Sequence, residues 1–151
     1  MAKILFINAS ENRNGNTVRL GNKLLAGEDF VQVNLVDYKI YQIGQDFADD
    51  QFAAIYHQMA TADTIILGTP VYWHDMSAYL KTLIERISQR SGSNELAGRR
   101  VGLLIQGANP LDAIKPVSSV IKRFCQVAGM TYIGNASTTL GLAKMKKQLD
   151  D

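Results

Sequence analysis

The sequence predicts an α/β fold: a three-layer sandwich in which helices cover both faces of a five-stranded parallel sheet of order 2-1-3-4-5. Two patterns carry this prediction. Short apolar segments alternate along the chain with segments of helical periodicity, and most of the apolar segments lack the polar alternation of a half-exposed strand. The chain of 151 residues suffices for one core and is too short for two ordinary domains, so we expect a single domain over residues 1–151.

Three of the five predicted strands are continuously apolar, which is typical of inner strands; they span residues 3–8, 64–68 and 101–105. The segment 30–36 alternates instead, with Val31, Val33 and Leu35 on one side, so we expect it at the sheet edge. A fifth short strand is expected at residues 132–133. An amphipathic second strand at the edge, with right-handed crossovers, favours a flavodoxin-like strand order over a six-stranded Rossmann order.

Apolar side chains recur at helical spacing between these strands. Asp49 or Asp50 can cap the second helix, and Asp75 can cap the third. Pro116 suits the start of the fourth helix and Gly129 its end. The stripes, in helix order, are Val18, Leu20, Gly21, Leu24 and Leu25; Phe52, Ile55, Tyr56, Met59 and Ala60; Met76, Tyr79, Leu80, Leu83, Ile84 and Ile87; Val117, Val120, Ile121, Phe124, Cys125 and Ala128; and, in a weak last helix, Leu142, Met145 and Leu149.

Composition and charge argue against several classes of protein. No apolar run approaches the roughly 20 residues that cross a bilayer, and no signal-peptide pattern precedes the first strand, so we expect a cytoplasmic protein with no membrane partner. The formal net charge of +2 is spread along the chain, which gives little support for nucleic-acid binding. Cys125 is the single cysteine and has no Cys or His at metal-ligand spacing, so we assign it to the core and expect no metal site.

In a sheet of this order, ligands bind in the crevice beyond the carboxyl ends of strands 1 and 3. The loop after strand 1, residues 9–17, is rich in hydroxyl and amide side chains and contains Gly15, where the backbone can turn. It leads into a helix N-terminus with unpaired N–H groups, which suits a phosphate, although an ordinary capping loop has a similar composition. The candidate phosphate donors are Ser10, Asn12, Asn16 and Thr17.

The loop after strand 3, residues 69–74, places two large aromatic residues, Tyr72 and Trp73, after Pro70. Proline cannot continue an inner strand, so we expect the strand to end before it. The two rings suit a flat conjugated ligand; alternatively, they fill the seam between helix and sheet. His74 in the same loop is interpreted as a solvent-facing residue.

These two loops resemble the signatures of the NAD(P)H-dependent FMN reductases. Residues 9–17, A-S-E-N-R-N-G-N-T, resemble their phosphate loop G-S-P-R-x-x-G-N-T, and residues 70–86 resemble their P-V-Y-W followed by M-S-x-x-L-K-x-x-I-D-R. The chain departs from the first signature where Ala9, Glu11 and Asn12 replace glycine, proline and arginine. Loss of that arginine removes a bidentate phosphate partner, for which Arg13 could substitute, and Glu11 adds a like charge.

The resemblance implies an oxidoreductase with FMN as cofactor and NAD(P)H as co-substrate, passing hydride through the flavin to a small acceptor such as free flavin or a quinone. The flavin would perform the chemistry, so we nominate no catalytic side chain. Besides the first loop, including Gly15, the residues implied to contact or border the flavin ring are Pro70, Val71, Tyr72, Trp73, Gly107 and Asn109.

Two alternatives stay open: a flavodoxin-like electron carrier, and a domain that has lost FMN and only binds. The slightly basic charge favours an enzyme that attracts an anionic dinucleotide. A P-loop protein, a response regulator and a cysteine phosphatase are excluded, because the P-loop motif and the strand-end aspartates are absent and Cys125 lies on a helix.

Two further expectations concern the nicotinamide nucleotide and the assembly of the protein. A nicotinamide phosphate has four candidate partners, which are Arg86, Arg90, Arg99 and Arg100. A shortened last helix would leave apolar sheet surface uncovered, which predicts a homodimer.

Overall fold

Strands and helices alternate along the chain, as the hydrophobic pattern predicts. The computed structural model of the protein describes residues 2–90 and 94–151. Its strands are β1 (Ile4–Asn8), β2 (Phe30–Asn34), β3 (Thr64–Tyr72), β4 (Asp75–Met76), β5 (Arg100–Gln106) and β6 (Thr131–Ala136). Its helices are α1 (Asn16–Leu24), α2 (Phe52–Thr61), α3 (Ala78–Ser88), α4 (Leu111–Ala128) and α5 (Thr139–Asp150), and a short 3-10 helix, Leu35–Asp37, follows β2.

Five strands form one parallel sheet of order β2-β1-β3-β5-β6, which confirms the flavodoxin-like α/β fold and the predicted order 2-1-3-4-5. The short β4, which was not predicted, pairs antiparallel with the end of β3. Asn8 lies opposite both Asn34 and Gly68, so β1, β2 and β3 are in register at the carboxyl edge. The Ala9 N–H donates to the Gly68 carbonyl at 2.8 Å, so the loops after β1 and β3 begin side by side.

Helices cover both faces of the sheet. α2, α3 and α4 pack over one apolar layer, and α1 and α5 pack over the other. The last helix buries Leu142 and Met145 against the sheet, where Phe6 and Leu104 are fully buried. The expectation of uncovered sheet surface under this helix is therefore wrong. The reason for predicting a homodimer no longer holds. Within the described residues, no helix combines the length and apolar character that crossing a bilayer requires.

The expectation that β3 ends before Pro70 is wrong, because the strand continues to Tyr72. The Gly68 carbonyl faces β1, so the backbone nitrogen two residues later, at Pro70, faces the same side. β1 has already ended there at Asn8, and the missing N–H of Pro70 costs no ladder hydrogen bond. On the other side Pro70 stays in register with Gln106.

Three helix starts also differ from the prediction. Ser77, and not Asp75, caps α3: its Oγ accepts from the Leu80 N–H at 3.3 Å, while Asp75 lies in β4. α2 begins after Gln51 rather than at an aspartate cap, although Asp50 Oδ1 accepts from the N–H of Phe52 at 3.3 Å. α4 begins at Leu111 rather than at Pro116, which lies inside the helix. As the sixth residue of α4, Pro116 lies beyond the first turn, and its missing N–H leaves the Asp112 carbonyl without its i→i+4 helical donor.

Two side chains of the predicted apolar stripes have different surroundings. Val31 on the edge strand is 59% exposed, because a groove of about 370 Å³ bordered by Gln58 and Thr61 separates it from α2. Tyr79 at the start of α3 is 37% exposed and lies outside the core. Cys125 is buried as predicted, and burial raises the pKa of its thiol to about 11, so the thiol stays protonated. Gly129 ends α4 in the left-handed conformation, as predicted.

Candidate functional site

The last residue of β1 organises the loop that follows it. Asn8 is fully buried, and its Oδ1 accepts from the Ser10 N–H at 3.2 Å. Its Nδ2 donates to the Asn12 carbonyl and to Asn34 Oδ1, both at 3.0 Å. Ser10 Oγ in turn accepts from the Asn12 N–H at 3.1 Å. The loop is thus held by side chains of the protein itself. Sequence reasoning missed Asn8, whose signal was an amide at the end of an apolar strand.

The turn into α1 is shaped to receive an anion. Gly15 precedes the helix in an extended conformation, and no side-chain hydrogen bond among the described residues caps the first N–H groups of α1. A Cβ at position 15 would lie 2.9 Å from Cβ of Asn12, so only glycine at this position allows the loop to close this tightly. Thr17 is 1% exposed, and its Oγ1 has no hydrogen-bond partner within the described chain. An unpaired buried hydroxyl at an uncapped helix N-terminus is typical of an anion site.

The basic side chains of this region are already paired. Arg13 Nη2 lies 2.5 Å from Asp37 Oδ1, and this pairing raises the pKa of the guanidinium. In this structure the guanidinium of Arg13 is therefore engaged by a carboxylate, and its proposed role at a phosphate stays a prediction. Arg19 donates to the side-chain oxygen of Asn16. An anion at this loop would be held by hydroxyl and N–H groups, with the exposed carboxylate of Glu11 nearby.

The chain at the end of β3 forms a β-hairpin with β4 rather than the predicted loop. Val71 pairs with Met76 and Tyr72 with Asp75, leaving Trp73 and His74 as a two-residue turn. Both turn residues have positive φ, +50° and +61°, as in a type I′ turn. Asn and Gly usually occupy these positions, because left-handed backbone costs other residues roughly 1–2 kcal/mol each. The missing Asn-Gly signal is why the hairpin was not predicted.

The two aromatic rings do not fill the seam between helix and sheet. Trp73 is 96% exposed at the tip of the hairpin. Tyr72 is 38% exposed, and its hydroxyl donates to Glu11 Oε1 over a long 3.5 Å. Glu11, which stands where the resembling signature has proline, therefore links the first loop to the hairpin. This contact brings the two predicted loops together.

The loop after β5 closes the other side. A Cβ on Gly107 would lie 3.3 Å from Cβ of Val71, so the backbone after β5 packs directly against the hairpin. His74 Nδ1 pairs with Asp112 in the first turn of α4. Asn109 is exposed and lies between Gly107 and Asp112 in the sequence. The predicted binding residues thus lie on three neighbouring segments at the carboxyl edge of β1, β3 and β5.

The four arginines suggested for a nicotinamide phosphate have structural partners instead. Arg86 joins the 38–51 loop and α2 to α3, and Arg90 stacks on an aromatic ring. Arg99 and Arg100 bond to backbone carbonyls that end α2 and α5. The partners are the Tyr41 carbonyl at 2.8 Å and Asp50 for Arg86, the Tyr56 ring at 4.2 Å for Arg90, the Ala60 carbonyl at 2.7 Å for Arg99, and the Gln148 and Leu149 carbonyls for Arg100. In this structure the four arginines therefore contact groups of the protein itself, and a role at a nicotinamide phosphate stays a prediction.

Comparison with solved structures agrees with this architecture. The Trp repressor binding protein from Bacillus subtilis superposes with a TM-score of 0.76 at 21% identity, covering 96% of this chain and 97% of that one. An FMN-dependent NADH-azoreductase from Bacillus anthracis str. Ames Ancestor, in complex with FMN, superposes with a TM-score of 0.64 at 16% identity, covering 98% of this chain and 96% of that one. At these identities the likeness shows the fold.

Sequence comparison identifies the family. YwqN of Bacillus subtilis (strain 168), named as an NAD(P)H-dependent FMN-containing oxidoreductase, is 33% identical over 95 residues, which are 58% of this chain and 52% of that protein. The match thus spans about half the length of that relative. The family model described as NADPH-dependent FMN reductase matches residues 2–144. The chain therefore belongs to the NADPH-dependent FMN reductase family.

Proposed function

We propose that the protein is an FMN-dependent oxidoreductase that takes hydride from NAD(P)H and delivers it to a small acceptor. FMN with NAD(P)H is the cofactor pair that its family implies. The observation that carries the proposal for this chain is the buried, unpaired hydroxyl of Thr17 at the uncapped start of α1. A phosphate at that point would accept a hydrogen bond from this hydroxyl, whose burial without a partner costs free energy.

The first loop would hold the phosphate. Thr17 Oγ1 and the first N–H groups of α1 would donate to its oxygens, and the helix dipole favours negative charge at this end. Ser10 Oγ accepts from the Asn12 N–H, which leaves the serine proton free to be donated to the ligand. The Asn12 and Asn16 side chains are the further proposed donors. Glu11 places a like charge beside the phosphate, so we expect weaker binding than with a proline there.

The hairpin and the loop after β5 would hold the ring. The backbone after Pro70, through Val71 and Tyr72, would contact one edge of the flavin, and Gly107 and Asn109 would approach the other. Trp73, free at the hairpin tip, is placed to stack on an exposed face of a flat ring. When bound, FMN supplies the hydride chemistry. The protein's own residues bind and orient it, and we assign no side chain as acid or base.

The remaining proposals concern the setting of the protein. A cytoplasmic location is supported by the single cysteine, Cys125, which is buried and reduced. We propose a small molecule as the electron acceptor, and the net charge of only +2 gives little support for a nucleic-acid partner. The homodimer stays a prediction.

The test is to reconstitute the protein with FMN and to follow NADPH and NADH oxidation with free FMN, ferricyanide and a quinone as acceptors. We expect turnover well above that of the same concentration of free FMN. Bound FMN with a stable one-electron reduced state and no turnover would identify an electron carrier instead. No turnover with any acceptor, or no FMN binding, would contradict the proposal.

A further inference from the structure

The edge strand β2 contributes a side chain that lies behind the loop after β1. Asn34, the last residue of β2, is in register with Asn8, the last residue of β1. Residues in register on neighbouring parallel strands point to the same face of the sheet, so the two amides lie side by side. Asn8 Nδ2 donates to Asn34 Oδ1 at 3.0 Å, across 26 positions of the sequence. Asn34 lies outside both sequence signatures, so no local motif indicates a role for it.

Two backbone groups fix the direction in which these amides point. Asn8 Oδ1 accepts from the Ser10 N–H at 3.2 Å, and Asn8 Nδ2 donates to the Asn12 carbonyl at 3.0 Å. An N–H only donates and a carbonyl only accepts, so reversing the Asn8 amide would break both bonds. The second proton of Nδ2 therefore needs an acceptor at position 34. Because Asn8 is fully buried, loss of that acceptor would leave an unpaired donor in the interior.

Gln32 holds the Asn34 amide from a second direction. It lies two residues earlier, on the same face of β2, and its Nε2 donates to Asn34 Oδ1 at 2.9 Å. The Asn34 oxygen thus accepts from two amide nitrogens, which uses both of its lone pairs. A reversed Asn34 amide would set its own N–H groups against both donors. The oxygen is therefore kept facing Asn8.

The bond from Asn8 to the Asn12 carbonyl extends this order to the start of α1. Asn12 packs so closely on Gly15 that a Cβ at position 15 would lie 2.9 Å from Asn12 Cβ. Gly15 directly precedes the first N–H groups of α1, which carry no side-chain cap within the described chain. The unpaired hydroxyl of Thr17 lies in the same turn. The groups proposed to bind a phosphate are therefore placed by contacts that start at β2.

We propose that Asn34 is a positioning residue for the phosphate of FMN. It lies behind the loop after β1, and its oxygen orients Asn8, which in turn holds the loop in the conformation that receives an anion. The inference rests on the proposed function for the identity of that anion. Affinity for a flavin without a phosphate should not depend on Asn34.

Amide hydrogen exchange of the flavin-free protein tests the hydrogen-bond chain without a ligand. The reference is the Ala9 N–H, which donates to the Gly68 carbonyl at 2.8 Å. In Asn34→Leu the Ser10 N–H should exchange at least tenfold faster relative to the Ala9 N–H, a ratio that removes any general loss of stability. Asn34→Asp retains the acceptor and should keep the ratio within threefold of wild type. An unchanged ratio in Asn34→Leu, or an equal increase in Asn34→Asp, would overturn the inference.

Titrations of the same proteins with FMN and riboflavin test the consequence for binding. Asn34→Leu should raise the dissociation constant of FMN at least tenfold and that of riboflavin less than twofold. Asn135→Leu is the matched control, because Asn135 lies on the opposite edge strand, β6, where its Nδ2 donates to the Tyr132 hydroxyl at 3.0 Å. We expect FMN affinity within twofold of wild type in this control. If Asn34→Leu does not fold, Asn34→Ala, which also lacks the acceptor, takes its place in both experiments.

The pattern of the losses distinguishes the possible outcomes. If Asn34→Leu weakens both flavins equally, its role is merely structural and the inference is wrong. If wild-type protein binds FMN and Asn34→Leu leaves that affinity unchanged, only the inference fails. If wild-type protein binds no FMN, the proposed function fails, while faster exchange of the Ser10 N–H in Asn34→Leu would still support Asn34 as the residue that orders the loop.

Discussion

Replacing Thr17 by valine should stabilise the FMN-free protein and weaken its binding of FMN. The Thr17 hydroxyl is buried without a partner in the described structure, and such a group costs about 1–3 kcal/mol in proteins. Valine has nearly the same shape and lacks the hydroxyl. We therefore expect the free energy of unfolding to rise by about 1 kcal/mol, which is roughly 2–4 °C in the unfolding midpoint of a chain of this size.

The same change removes a hydrogen bond from the proposed phosphate site. Hydrogen bonds to charged groups contribute about 1.5–3 kcal/mol, so the dissociation constant of FMN should rise roughly 10- to 100-fold. The opposite signs of the two effects distinguish a ligand-binding hydroxyl from a merely structural one.

Thr17→Ser is the matched control. It keeps the hydroxyl and removes the methyl group, which packs so tightly that a Cβ on Gly68 would lie 2.9 Å from it. We expect FMN affinity within about threefold of wild type and a loss of about 1 kcal/mol of stability. The assays are thermal unfolding without flavin and quenching of FMN fluorescence. A less stable valine variant with unchanged FMN affinity would refute the reasoning.

Three further predictions concern the loop, the hairpin and acid stability. Gly15→Ala places a Cβ 2.9 Å from Cβ of Asn12, so a fluorescence titration should show at least a tenfold higher dissociation constant for FMN. Trp73→Asn relieves left-handed backbone at an exposed position, so chemical denaturation should show a gain of about 1 kcal/mol, while FMN affinity falls a few-fold. Arg86 lowers the pKa of the Asp50 carboxyl, so this pair stabilises the protein above the ordinary pKa of aspartate, and its contribution is lost as the pH falls through the lowered value. Asp50→Asn should therefore lower the free energy of unfolding by about 1 kcal/mol at neutral pH and reduce the further loss of stability at acid pH. An unchanged dependence of stability on acid pH would contradict this.

The sheet and its helices could be predicted because burial on both faces leaves an unambiguous pattern in a parallel sheet. Ile4 to Ile7 are apolar in succession because α1 covers one face of the sheet and α2 to α4 cover the other. Pro70 was misread because proline forbids a backbone hydrogen bond only where one would otherwise form, and Pro116 was misread because proline's preference for the first turn of a helix does not exclude it from later turns. At Pro70 the neighbouring strand has ended, which the sequence of β3 alone does not show.

The candidate site could be predicted in part. Gly15 and Thr17 lie in a local sequence motif, which can be recognised without knowledge of the tertiary structure. The contacts that assemble the site are not local: Asn8 bonds to Asn34, and Tyr72 reaches Glu11. No periodicity encodes such pairs, because they depend on the register of separate strands.

The proposed FMN site requires that the loop after β1 holds the phosphate while the hairpin and the loop after β5 hold the attached ring. Parallel titrations of the flavin-free protein with FMN and with riboflavin, which has the same ring and no phosphate, test it most directly. We predict saturable binding of FMN and a dissociation constant for riboflavin about 100-fold higher, from the lost phosphate contacts. Equal affinity for the two flavins, or no binding of either, would contradict the claim.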